Sequence, residues 1–317
     1  MTNHKKIISI SLTIALVGFF AYFLYANQEI FKEIQNINPI YILPIIVLML
    51  IFQYLNGVFL KTIVKPYDIN VKEHFHLSIS ANFLNLITPF KGGTGMRAFY
   101  MKKKYNLKYS EFIASMFGNY IIVFLVCAGL GLITFSMLYL LYGIFNLYLF
   151  LIFIGVILAT ITLLNFSFKF KKENFFTKNL NKVLKGWEVV KNHKRIIPLL
   201  ILLPIGGRLI YAFIIMFTFK GLGIEISFFK ALYLSVFQLL SIFVNITPGS
   251  LGITESFFYL SSGIINIKPE LALLVALIIR SINIIFLLSL GPISNFILFK
   301  KLKNTGKSIP VTYDKTI

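Results

Sequence analysis

The fold is decided by two stretches of equal length, ITPFKGGTGMRAFYMKKKYNLKYSE at 87–111 and ITPGSLGITESFFYLSSGIINIKPE at 246–270. Each begins with Ile-Thr-Pro within an apolar region and continues with glycines. Proline removes a backbone donor and clustered glycine disfavours helix, so a long helix is interrupted at these points. Both stretches therefore predict broken helices inside apolar surroundings.

The two stretches also match each other. When Ile87 is aligned with Ile246, seven positions of the two stretches are identical, including the Ile-Thr-Pro triplet and the pair Gly93 and Gly252. The same alignment, extended without a gap, superimposes the apolar runs on either side. We expect one repeat over about 39–142 and a second over about 196–301, separated by a linking region at 143–195 and followed by a short tail at 302–317.

The composition around these stretches is that of a membrane protein. Of 317 residues, 57% are hydrophobic and only 13% charged, and the formal net charge is +20. Soluble domains contain about a quarter charged residues, which excludes that class. The 34 Phe and 16 Tyr exclude disorder. A nucleic-acid reader is excluded because the basic residues lie between apolar runs and not along one face. We predict a single all-helical integral membrane domain over 1–317.

Six apolar runs are long enough to cross a bilayer. A hydrocarbon core of about 30 Å needs roughly 20 apolar residues in a helix. The first run follows Lys5 and Lys6 but is longer than the core of a secretory signal, so we expect it to be retained. The six predicted spans are Ile7–Tyr25, Pro39–Leu60, Glu111 to about Tyr142, Leu147–Phe166, Ile196–Phe219 and Glu270 to about Phe299.

The two broken regions, His76–Tyr100 and Ala231–Ser262, are predicted to be re-entrant hairpins. With the N-terminus inside and each hairpin returning to the side that it entered, 23 basic residues face the cytoplasm and four face outward. Both termini are then cytoplasmic, at the cell membrane. The two repeats have opposite orientations in this topology, an arrangement that places a transporter's substrate site near the middle of the membrane.

A basic amphipathic segment lies in the linking region. Between Phe175 and Lys191, apolar residues recur at three- and four-residue spacing, with lysines mostly elsewhere around the helix. Such a helix can lie on the anionic inner leaflet. A solvated linker helix that caps the bundle explains the pattern equally well.

The second break resembles a known family. Pro248-Gly249-Ser250-Leu251-Gly252, followed by Glu255, Arg280 and Gly291, is similar to the C-terminal signature of the lysylphosphatidylglycerol synthase transmembrane family, and Asn85–Arg97 resembles its earlier Pro, Gly and Arg motif. The resemblance implies a flippase-like domain, as in the multiple peptide resistance factor, which moves aminoacylated phosphatidylglycerol. That relative carries a soluble transferase domain, and the residues after Lys300 are too few for one. Lysyl transfer is therefore not implied here, and a separate lipid-modifying synthase is a possible partner.

Ionisable residues in the spans indicate the site. Arg208 and Arg280 lie near the centres of two spans, where a charge costs about 2.5 kcal/mol or more without a partner. Glu255 is the nearest candidate partner. We hypothesise that an arginine binds a lipid phosphate; a purely structural ion pair is the alternative. The candidate substrate-binding residues are Thr88, Pro89, Gly93, Arg97, Arg208, Thr247, Pro248, Gly252, Glu255 and Arg280.

Other chemistry has little support in the sequence. Arg97 can reach a phosphate or extend to the interface. His74 and His76 are two apart in sequence and point to different sides of a helix, so we expect no shared metal, and no cofactor or catalytic residue is assigned. Two alternatives to lipid translocation stay open. One is a lipid-headgroup transferase with a base at Glu255 or near His74 and His76, and the other is a small-solute transporter.

Overall fold

The computed structural model describes residues 37–64, 70–88, 91–165, 196–241 and 247–304. Within these ranges the chain is helical and has no strand, which confirms the predicted all-helical class. The predictions for Ile7–Tyr25, Pro89, Phe175–Lys191 and the end of the tail at 305–317 lie outside the described residues. The helices are α1 Ile42–Ile63, α2 Val71–Ile87, α3 Gly92–Tyr105, α4 Tyr109–Tyr142, α5 Leu147–Asn165, α6 Ile197–Gly221, α7 Phe228–Leu240, α8 Ile253–Ser262 and α9 Pro269–Asn304.

Four of these helices, α1, α4, α6 and α9, are long and apolar enough to cross a membrane. They occupy four of the predicted spans. Helix α5, Leu147–Asn165, occupies a fifth. Helices α4 and α9 have 34 and 36 residues, or about 51 and 54 Å at 1.5 Å per residue. They exceed a core of about 30 Å, so they tilt or extend beyond it.

The outer surface of the bundle is apolar. Leu140 on α4 and Phe296 on α9 are 73% and 70% exposed. A soluble protein rarely exposes apolar patches of this extent, because water around them costs free energy. In a bilayer the same side chains contact lipid. The chain is therefore a multi-pass membrane protein, as its composition predicts.

The first break separates α2 from α3. Thr88 ends α2 in an extended conformation (φ −117°, ψ 138°), as expected of a residue before proline. Its hydroxyl donates to the carbonyl oxygen of Leu84 at 2.5 Å. Lys91 then has a left-handed conformation (φ 55°) immediately before α3, and the Gly93 N–H donates to the Asn85 side chain at 2.9 Å. Asn85 thereby supplies the helix start with an acceptor from across the break.

The second break separates α7 from α8 and contains several left-handed residues. Gly249 and Gly252 have φ angles of 59° and 83°, which glycine adopts without steric cost. The Thr247 hydroxyl donates to the carbonyl oxygen of Leu251 at 2.9 Å. The Gly252 N–H donates to Glu255 at 2.8 Å, so a carboxylate in the first turn caps α8. These interactions hold the kink from both sides.

The packing of the two halves follows a common pattern. In each half a short helix packs on the preceding long helix, α2 on α1 and α7 on α6. Each of these short helices also packs on the last long helix of the other half, α2 on α9 and α7 on α4. Cys127 lies buried at the second contact, and its thiol donates to the Val236 carbonyl oxygen at 3.7 Å.

The close approach of α3 to α2 yields a stability prediction. A Cβ on Gly93 would collide with the backbone of Ala81, and backbone cannot move aside as a side chain can. We expect Gly93→Ala to lower the free energy of unfolding by about 1 to 3 kcal/mol. Gly95 lies in the same helix with nothing within 4 Å of such a Cβ, so Gly95→Ala is the matched control and should be neutral or slightly stabilising. Thermal unfolding in detergent checks both variants; equal midpoints would contradict the collision.

A buried acidic residue joins three helices at the start of α2, outside the four membrane-crossing helices. Glu73 accepts hydrogen bonds from Tyr100 and Tyr105 at 2.9 and 2.7 Å, and it pairs with Lys104 and Lys301 at 2.6 and 3.4 Å. Burial raises the pKa of Glu73, but the hydrogen bonds from Lys104 and the tyrosines outweigh burial. The pKa therefore lies below its ordinary value of 4.5.

This lowered pKa predicts acid sensitivity. Because the unfolded chain binds the proton more tightly, the stabilisation by ionised Glu73 is present above about pH 4.5 and is lost as the pH falls through the lower folded-state value. Glu73→Gln should remove this part of the pH dependence, as measured by thermal unfolding across the acidic range. Glu225→Gln, which alters an exposed carboxylate after α6, should keep the wild-type profile. An unchanged profile in Glu73→Gln would contradict the assignment.

Candidate functional site

A cavity of about 430 Å³ lies between the long helices and reaches both breaks. Lys91 and Thr94, at the start of α3, line it from the first break, and Gly249 and Ser250 line it from the second. The breaks also lie close together: a Cβ on Gly249 would be 3.2 Å from the Leu86 side chain, near the end of α2. Irregular backbone at membrane depth persists when it is buried in protein or borders such a cavity.

The charges on the cavity wall are strongly unbalanced. Among the described residues, the ionised side chains there are four basic residues, Lys91, Arg97, Arg208 and Arg280, and one acidic residue, Glu255. Their net charge is +3. The predicted topology places 23 basic residues on the cytoplasmic side and four outside, and these four cavity residues are in neither group. An excess of positive charge in a partly enclosed, low-dielectric space attracts an anion.

Arg208 lies deepest among these cations and has donors to spare. It lies near the middle of α6 and is 6% exposed. Its Nη1 donates to the Ser235 carbonyl oxygen and to Gln238 Oε1, both at 3.0 Å. The Tyr211 ring lies 5.4 Å from the guanidinium carbon. Among the described residues no carboxylate pairs with Arg208, and its Nε and Nη2 have no acceptor.

Arg280 is bound differently. Its Nε forms an ion pair with Glu255, and its Nη1 and Nη2 donate to the carbonyl oxygens of Gly249 and Ser250 at 3.1 and 3.2 Å. Each guanidinium nitrogen therefore already has an acceptor. Glu255 is 1% exposed and uses its second oxygen to cap Gly252. This pair links α9 to the second break, which is the geometry of the structural ion-pair alternative.

The other two cations line the cavity from the first break. Arg97 Nε donates to the Leu77 carbonyl oxygen at 3.3 Å and Nη2 to that of Ser78 at 3.5 Å. The arginine is thus anchored to α2 beside the cavity. Lys91 donates to the Tyr120 hydroxyl at 3.5 Å. The carboxylate of the wall, Glu255, pairs with Arg280.

The remaining predicted site residues shape the breaks. Thr88 and Thr247 donate to backbone carbonyls, Gly93 permits helix contact and Gly252 supplies a left-handed turn. These four do not line the cavity. Pro248 begins the 3₁₀ turn of the second break, whereas Pro89 lies outside the described residues.

A set of amide side chains on the cavity wall was absent from the sequence prediction. In the described part of the chain the wall contains seven carboxamides, of which Asn119 is 4% exposed and has no partner for Oδ1. The sequence feature that could have identified these carboxamides is an isolated amide side chain within an apolar span. The seven are Gln53, Asn56, Asn82, Asn85, Asn119, Gln238 and Asn283.

The geometry offers little to a transferase. Both oxygens of Glu255 are occupied by Arg280 and Gly252, so it is poorly placed to accept a proton from a substrate. His74 and His76, the other candidate bases, do not line the cavity. His76 instead lies 3.2 Å from the Ser294 hydroxyl.

The family model for the lysylphosphatidylglycerol synthase TM region matches residues 7–291. The chain belongs to this family. A curated relative, the UPF0104 membrane protein MJ1595 of Methanocaldococcus jannaschii, is 25% identical over 316 residues, covering 88% of this chain and 91% of the relative. No solved structure matches the chain. Family membership confirms the resemblance carried by the second break and agrees with a multi-pass membrane protein.

Proposed function

We propose that this member of the family moves an anionic phospholipid of the phosphatidylglycerol type, or its aminoacylated form, between the leaflets of the cell membrane. The observation that carries the proposal is the cavity whose wall bears four cations against one carboxylate. A lipid phosphate is the anion that is abundant in a membrane and therefore available to such a cavity.

The phosphate is assigned first to Arg208. Its unused Nε and Nη2 form one edge of the guanidinium group, which matches two phosphate oxygens. A hydrogen bond to a charged group is worth about 1.5 to 3 kcal/mol. Arg97 and Lys91 add positive potential from the first break. In the proposal Arg280, whose donors are engaged, positions the second break beside the headgroup.

The two breaks supply the proposed route. We propose that they belong to inverted repeats and act as gates, the first opening to the cytoplasm and the second to the outside, with both termini cytoplasmic. The interchange of packing partners between the halves and the approach of Gly249 to Leu86 support this arrangement. Alternate opening of the gates would carry the headgroup past the cavity while the acyl chains stay in lipid. A separate lipid-modifying synthase would supply any aminoacylated substrate.

Reconstitution tests the function directly. Purified full-length protein in vesicles of phosphatidylcholine with fluorescent phosphatidylglycerol should make more of the label accessible to an outer-leaflet quencher than protein-free vesicles do. Equal quenching kinetics with and without protein would reject translocation. Turnover of the lipid to a modified headgroup would support the transferase alternative, and solute uptake without lipid movement would support the solute transporter.

A further inference from the structure

The amide side chains of the cavity point to the class of headgroup. Four of the seven are already engaged within the protein: Gln53 accepts from Ser78 and Asn82, Asn85 caps Gly93, and Gln238 accepts from Arg208. They hold the wall in place. Asn56, Asn119 and Asn283 have no hydrogen-bond partner within the described residues, although all three line the cavity.

Asn119 is the most informative of the three. It lies on α4 in the cavity wall, and only 4% of its surface is exposed. Its Oδ1 is an acceptor without a donor in the described part of the chain. Buried polar atoms are nearly always satisfied, and a bound group or water is one explanation of an exception that lines a cavity. The Asn119 side chain lines the same cavity as Arg208, whose Nε and Nη2 have no acceptor in the described residues.

A carboxamide donates and accepts, and a hydroxyl group does both as well. A headgroup that carries a phosphate and neutral hydroxyls therefore matches the arginines with its charge and the amides with its hydroxyls. An ammonium group only donates, so it can pair with the amide oxygens but leaves the amide N–H groups without an acceptor. The one carboxylate of the wall, Glu255, is engaged, and the net charge of +3 repels a cation.

We infer that Asn119, with Asn56 and Asn283, forms a hydroxyl-binding subsite beside the cationic site, so that the cavity selects a phosphate bearing a hydroxylated neutral headgroup and rejects a cationic aminoacylated one. The inference rests on the proposed function and narrows its substrate. It names glycerol- or sugar-type headgroups as the favoured chemistry.

The first test uses the wild-type protein in phosphatidylcholine vesicles with three fluorescent lipids. Phosphatidylglycerol has phosphate and hydroxyls, phosphatidic acid has phosphate alone, and lysylphosphatidylglycerol adds cations. We expect phosphatidylglycerol to move about tenfold faster than the other two, a factor that one hydrogen-bonded contact can supply. Equal rates for lysylphosphatidylglycerol and phosphatidylglycerol would overturn the inference and leave the proposed function intact. No movement of any lipid would overturn the proposed function itself.

The second test changes the subsite. Asn119→Leu should slow phosphatidylglycerol about tenfold while leaving phosphatidic acid nearly unchanged, because only the former loses a hydroxyl contact. Asn119→Asp places a carboxylate on the wall and should raise the rate ratio of lysylphosphatidylglycerol to phosphatidylglycerol about tenfold. Thr134→Val is the matched control: Thr134 is a buried residue of the same helix whose hydroxyl has no partner in the described part of the chain, and it does not line the cavity. It should leave the lipid ratios unchanged.

The readout is a ratio between lipids, so partial loss of folded protein cancels. A uniform slowing of all three lipids by Asn119→Leu would show a structural role and overturn the subsite. A soluble phosphate that carries hydroxyl groups has the same chemistry as the lipid headgroup. Radiolabelled glycerol 3-phosphate tests whether the protein transports such a solute. Uptake of this solute, sensitive to Asn119→Leu and without lipid movement, would support the subsite and overturn lipid translocation.

Discussion

Arg208→Gln is expected to weaken binding of phosphatidylglycerol about ten- to hundredfold and to slow its translocation to a similar extent. The substitution removes the deepest positive charge of the cavity and two donors, Nε and Nη2, that have no acceptor in the described residues. Loss of one charge-assisted contact of about 1.5 to 3 kcal/mol corresponds to this range. The glutamine amide can still donate to the Ser235 carbonyl oxygen, so we expect the packing of α6 on α7 to persist.

The measurement is the outer-leaflet quenching assay together with a binding titration of the lipid in detergent. Lys103→Gln is the matched control, because it removes an exposed cation of α3 that does not line the cavity. Arg208→Lys keeps the charge but loses the planar fork and should give an intermediate rate. If Arg208→Gln binds and moves the lipid as the wild type does, the phosphate site lies elsewhere.

The cavity cations show what the sequence can predict. Arg97, Arg208 and Arg280 were predicted site residues because they stand apart from the basic clusters that flank the spans, and a charge within an apolar region must face the protein interior or water. Lys91 was not among the predicted residues. The breaks were likewise visible, because proline and glycine impose backbone limits whatever their surroundings. Glu255 was the nearest candidate partner in sequence for Arg208 or Arg280, and the structure pairs it with Arg280.

Other parts of the site depend on three-dimensional contacts. Thr88 and Thr247 fall beside the predicted site in sequence, yet their hydroxyls turn back to backbone carbonyls, as threonines near helix ends commonly do. The direction of Arg97 depends on the approach of α3 to α2, which Gly93 permits. Glu73 pairs with Lys301, which is 228 residues away in the sequence, and no local sequence pattern predicts this pair. Asn119 was detectable in the sequence as an amide within an apolar span. Only the structure shows that Asn119 lines the cavity and that Thr134, on the same helix, does not.

Glu255→Gln is expected to lower the free energy of unfolding by about 3 to 5 kcal/mol, the usual cost of leaving a buried charge unpaired. Arg280 would keep its bonds to the carbonyl oxygens of Gly249 and Ser250 but lose its counter-ion, while the side-chain cap of α8 would be weaker because an uncharged amide replaces the carboxylate. Thermal and chemical unfolding in detergent, followed by circular dichroism, measures the loss.

A double substitution distinguishes an architectural pair from a site that needs Arg280 for the lipid. Glu255→Gln with Arg280→Met removes both charges and nearly preserves the volume, so the double variant should be more stable than Glu255→Gln alone. If Arg208 holds the phosphate, lipid binding by the folded double variant stays within a few fold of wild type, because each guanidinium nitrogen of Arg280 already donates within the protein. A double variant that is stable yet binds lipid about a hundredfold more weakly would show that Arg280, and not Arg208, holds the phosphate. We expect near-wild-type lipid binding by the double variant because the guanidinium nitrogens of Arg280 already donate within the protein, whereas Nε and Nη2 of Arg208 have no acceptor in the described residues.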